Sequence, residues 1–120
     1  VKGLTRNTSR LLPLKTKYMG KLRELEIATE NLADLYADVA EKECIYREAK
    51  AKGFLRHLAD DQKVTVIGTI VAGETAKIRL EFKIADGILK SAKENLKRLH
   101  SNVEACRTLI SIAKQEIAIR

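Results

Sequence analysis

From Lys15 onward the apolar positions recur at helical spacing. Tyr18, Leu22, Leu25, Thr29, Leu32, Tyr36 and Val39 alternate steps of four and three, with Thr29 the only polar entry. The register fails at Glu43, where a second line (Ala40, Cys44, Arg47, Ala51, Phe54, Leu58) has already begun. A single helix over about 15–59 holds both lines if its buried face changes partway to meet a different neighbour. Asp60, Asp61, Gln62 and Lys63 then read as a turn. "KVTVIGTIVAGE" is ambiguous: its Val, Ile and Thr content favours a strand, and Gly68 and Gly73 weaken a helix. A lone short strand would have nothing to pair with, so a short helix with Thr65 as N-cap is expected within a connector over 60–74.

The last third carries the strongest pattern. Ile78, Phe82, Ala85, Leu89, Ala92, Leu96, Leu99, Val103, Cys106, Ile110, Ala113 and Ile117 keep 4-3 spacing without one polar entry. A helix over about 75–120 holding this line is roughly 60 Å long at 1.5 Å per residue. One such rod cannot bury its own face, so the line must pack on the first helix and on other subunits. The expected fold is all-α. Two long antiparallel helices, joined by a short helical connector, form one domain over 13–120 and assemble, coiled-coil-like, into an oligomeric bundle or ring. Leu89, Leu96, Leu99, Val103, Ile110 and Ile117 are the candidate contacts between subunits. Spare apolar positions beside the lines (Ile27, Leu35, Ile84, Ile88, Leu109, Ile112, Ile119) also argue for an oligomer.

Charge changes the picture at the N-terminal end. The net charge is +7, and residues 1–23 hold seven bases and no acid, while the rest hold sixteen of each. Residues 1–12, closed by Pro13, read as a basic arm, because proline disfavours helix at the residue before it. Arg6, Arg10, Lys15 and Lys17 are therefore candidates for phosphate contacts. A second candidate group is Arg47, Lys50, Lys52 and Arg56 in "YREAKAKGFLRHL". On a helix Lys52 and Arg56 share a face and Lys50 points nearly opposite to Lys52. Glu43–Arg47 and Glu48–Lys52 are favourable i, i+4 pairs, whereas Lys50 has no acid at that spacing.

Catalytic patterns are absent from the sequence. It has no glycine-rich phosphate loop, no H-x-x-x-H pair and no nucleophile with a base nearby, so a non-enzymatic protein is expected. Cys44, Cys106, His57 and His100 are too scattered for a zinc site or a disulfide framework, and no cofactor is expected. With no apolar signal region after the basic start and no run long enough to span a bilayer, a soluble protein of a reducing cytosol, with no membrane partner, is the expectation.

The runs "AEKECIYREAKAK" (40–52), "KIRLEFKIADGILKSAKENL" (77–96) and "RTLISIAKQEIAIR" (107–120) resemble the UvsY-like family of phage recombination mediators. The resemblance implies a ring-like homo-oligomer in a bacterial host cytoplasm that binds single-stranded DNA. It also implies a Lys-x-Lys/Arg pair near the end of the first long helix, matched by Lys50 and Lys52, and partners in a RecA-type recombinase and the single-strand-binding protein it displaces. A structural or regulatory coiled coil that acts through protein contacts alone fits the residues as well.

Overall fold

The computed structural model describes the backbone of residues 2–119 and the side chains of residues 10–119. The chain forms three helices: α1 (Lys2–Ala59), α2 (Val64–Glu74) and α3 (Ala76–Ile119). Two long helices joined by a short helical connector are therefore what the chain adopts. They lie in two compact units. One combines α1 up to Asn31 with α3 from Ala92; the other is Leu32–Ser91, holding the rest of both helices and all of α2. Within each unit α1 and α3 run antiparallel, since the early part of one accompanies the late part of the other.

The expected arm is not an arm. Helix α1 runs from Lys2 straight through Pro13. Proline removes one backbone hydrogen bond and crowds the preceding turn. Leu11 and Leu14 flank it and are both half-buried, so apolar contact holds the helix where the local preference would break it. Thr16 Oγ1 also donates to the Leu12 carbonyl at 3.1 Å.

Along α1 the inward line also differs from the expected one. It passes through Leu11, Leu14, Tyr18, Lys21, Leu25, Ala28, Leu32, Leu35, Val39, Lys42, Tyr46, Ala49 and Gly53, all buried or half-buried and spaced in alternating threes and fours. Thr29 and Tyr36 are exposed; their neighbours Ala28 and Leu35 take the inward places. There is no change of face at Glu43: Ala40, Cys44, Arg47, Ala51 and Leu58 are exposed, and of that second line only Phe54 is half-buried. The register continues because it tolerates two residues that a hydrophobic count passes over. Lys42 lays its stem along the seam and pairs with Asp38 at 3.7 Å. Gly53 has no side chain, and Val71 of α2 fills its place, 3.2 Å from where a Cβ would sit.

Helix α1 ends in a Schellman arrangement. Gln62 N–H donates to the His57 carbonyl and Asp61 N–H to that of Leu58, with Asp61 at φ 59° in the left-handed region. Helix α2 starts at Val64 with Lys63 as N-cap and no side-chain cap bond, so Thr65 lies inside the helix rather than capping it. Poor intrinsic propensity is overcome by burial of Ile67 and Val71, 0% and 1% exposed. Glu74 is held by Arg56 and by His57 Nε2, the latter at 2.7 Å. Thr75, buried, donates its hydroxyl to the Val71 carbonyl at 2.7 Å and passes the chain into α3.

All twelve positions of the α3 line are buried or half-buried. Of the six candidate subunit contacts, Leu89, Leu99, Val103 and Ile110 are at or below 9% exposed in the single chain, while Leu96 and Ile117 are half-buried. Among the spare positions, Ile27, Ile84, Ile88, Leu109, Ile112 and Ile119 are exposed.

Candidate nucleic-acid interface

Once the α3 seam is known, the residues beside it sort by side. The residue following each of the twelve seam positions is, in order, Arg79, Lys83, Asp86, Lys90, Lys93, Lys97, His100, Glu104, Arg107, Ser111, Lys114 and Ala118. Seven are Lys or Arg and two are acids. The residues preceding the seam positions contain only two bases, Lys77 and Arg98, and include Ile84, Ile88, Leu109 and Ile112. At about 100° per residue the two lines lie on opposite flanks of the seam. One flank of α3 is basic; the other is mixed, with two bases balanced by two acids and with four large aliphatic residues.

The same rule applies to α1. In an antiparallel pair, positions that follow the seam on both helices share a side. In the first unit the opposite side confirms it: Arg10 and Pro13, which precede seam positions on α1, border one groove with Leu109, Ile112 and Glu116, which precede them on α3. Lys15 follows the seam and lies on the basic side, while Arg10 and Lys17 lie on the groove side. Arg6 lies outside the residues whose side chains are described. In that unit the basic side is carried by Lys93, Lys97, Arg107 and Lys114 from α3, with Lys15 from α1.

In the second unit, Arg47 and Lys50 follow the seam and accompany Arg79, Lys83 and Lys90; Lys52 lies on the other side. Arg56 sits in line with the seam and is engaged by Glu74. The four bases of "YREAKAKGFLRHL" thus do not form one row. Two of them join a basic side built mainly by α3. The seam there brings Tyr46 and Phe82 together, ring centroids 6.0 Å apart and 22° from parallel. Lys50 Nζ lies over the Tyr46 ring at 5.9 Å and Lys83 Nζ over the Phe82 ring at 5.4 Å. Two half-buried rings and two lysines, one of each from either helix, form one cluster.

Four ion pairs on this side are local and weak. Lys90–Asp86 (3.0 Å), Arg107–Glu104 (3.2 Å), Lys97–Glu94 (3.3 Å) and Arg47–Glu43 (2.6 Å) are one-turn pairs at the surface. Such pairs are worth at most about 1 kcal/mol, little hindrance to a phosphate. Arg79 and Lys114 form no ion pair among the described residues. Nor do those residues contain a cluster of three or more His, Cys, Asp or Glu able to hold a metal; Cys44 is exposed and Cys106 buried in the seam. No helix among them is long and apolar enough to cross a membrane.

The candidates drawn from the sequence did not include Arg79, Lys83, Lys90, Lys93, Lys97, Arg107 or Lys114. The signal was present: each stands one place after a residue of the apolar line. Counting sixteen bases against sixteen acids along the chain hid it, because the two signs are separated around the helix rather than along it. Compared with known proteins, the chain matches no family model, no curated protein and no solved structure. The likeness to the phage mediators therefore rests on the quoted runs alone.

Proposed function

We propose that the chain is a non-enzymatic, single-stranded-DNA-binding protein whose basic side neutralises phosphates. The observation that carries this reading is the α3 line of seven Lys and Arg against two acids on one side of the seam. A polyanion running along a helix meets bases at one-turn intervals, about 5–6 Å apart. Salt-dependent, sequence-tolerant affinity follows from such contacts. The Tyr46–Phe82 pair with its two lysines favours a single strand, whose unpaired bases offer faces to aromatic rings; a duplex keeps them stacked. The further step, acting in a bacterial cytoplasm as an oligomeric mediator that helps a RecA-type recombinase replace a single-strand-binding protein, is supported by the quoted resemblance. Its test is recombinase loading on DNA precoated with that protein.

The binding reading is tested by fluorescence anisotropy with labelled single-stranded oligonucleotides across a salt series. Replacing Lys50 and Lys83 with Ala should weaken binding on every sequence. It should also reduce the slope of log K against log salt by about 1.4, at 0.7 per lost single-strand phosphate contact. An unchanged affinity and slope would favour the other reading, a coiled coil that works through protein contacts only.

A further inference from the structure

The side away from the bases carries its own recognisable surface. In the first unit an open groove is lined by Pro13 and Leu14 of α1 and by Leu109, Ile112 and Ala113 of α3. Leu109 and Ile112 are each 47% exposed. They belong to a second line of 4-3 spacing, Asn102, Ala105, Leu109, Ile112 and Glu116, parallel to the internal seam and with the same period. A helix packed by that period has room for a second helical neighbour here, with a small residue and a polar one at the start of the line.

Charge identifies the neighbour. Arg10 stands on the α1 wall of the groove and Glu116 on the α3 wall, and neither forms an ion pair among the described residues. We propose that this groove receives a second copy of the chain, in a twofold contact that sets Arg10 of each copy against Glu116 of the other and packs the two Leu109–Ile112 pairs together. A twofold interface uses the same patch on both subunits, so it must be self-complementary, and two unpaired opposite charges flanking an apolar strip are. The contact replaces the internal seam as the self-association surface. It leaves the basic side open and does not depend on what that side binds.

Sedimentation or light scattering of the full chain without DNA tests it. Wild type at micromolar concentration should exceed the 13.5 kDa of one chain. Ile112→Asp should return it to one chain with its helical circular dichroism kept, because Ile112 is half out of the fold already. Arg10→Glu alone and Glu116→Arg alone should each weaken association about tenfold or more, through like charges meeting across the contact. Mixing these two variants should restore it, since each then supplies the charge the other lacks. Restoration on mixing requires a contact between molecules; a pair within one chain would not give it. A wild type of 13.5 kDa, an Ile112→Asp assembly of unchanged size, or charge variants that mixing does not rescue would each overturn the proposal.

Discussion

Gly53 is buried in α1, and an added Cβ would stand 3.2 Å from Val71 Cγ2 and 3.4 Å from Cγ1. Val71 is itself 1% exposed and β-branched, so it has little freedom to turn aside. Gly20, in the same helix, has nothing within 4 Å of that position. Both glycines weaken the helix by about 1 kcal/mol relative to alanine, but only one has a packing reason to be there. Gly20→Ala should therefore raise stability by about 1 kcal/mol. Gly53→Leu should lower it by about 1–3 kcal/mol, because overpacking against Val71 outweighs the gain in propensity. Chemical denaturation of both variants checks this; equal effects would mean that α2 does not seat on Gly53. A glycine at a seam position is silent to a hydrophobic count, which is why this contact was not legible beforehand.

At the scale of the helices, legibility followed side-chain size. The α3 line was readable in full because all twelve positions are apolar. The α1 line was misread because Ala28, Lys42, Ala49 and Gly53 occupy inward places, while the polar Thr29 beside Ala28 and the large Tyr36 beside Leu35 are exposed. The start of α1 was misread for a different reason: Pro13 is a local signal, and the placing of Leu14 beside Leu109, Ile112 and Ala113, nearly a hundred residues later in sequence, is not. Because the α3 line is internal, truncating it should damage the fold itself. Leu99→Ala, at a position 3% exposed, should cost about 2–5 kcal/mol, whereas Leu109→Ala, on the groove side, should cost well under half of that in the isolated chain. Denaturation at a concentration low enough to suppress association separates the two. Comparable losses would return the α3 line to a shared interface.

For the molecule as a whole, a charge of +7 is a weaker statement than its arrangement. The N-terminal bases, conspicuous in sequence because no acid interrupts them, divide between sides once helical: Lys15 on one, Arg10 and Lys17 on the other. The bases of α3, inconspicuous among acids, fall together. Under the proposed function, nucleic acid is held by this side and not by the overall charge. Two variants of equal net charge separate these possibilities: Lys83, Lys93 and Lys114 changed to Gln on the basic side, and Lys17, Lys52 and Lys77 changed to Gln on the groove side. Each loses three positive charges. Titrated with single-stranded DNA over a salt series, the first should bind more weakly and lose about 2 units of salt slope, while the second stays close to wild type. Equal losses in both variants would show that only net charge matters, and no loss in the first would remove the basic side as the interface.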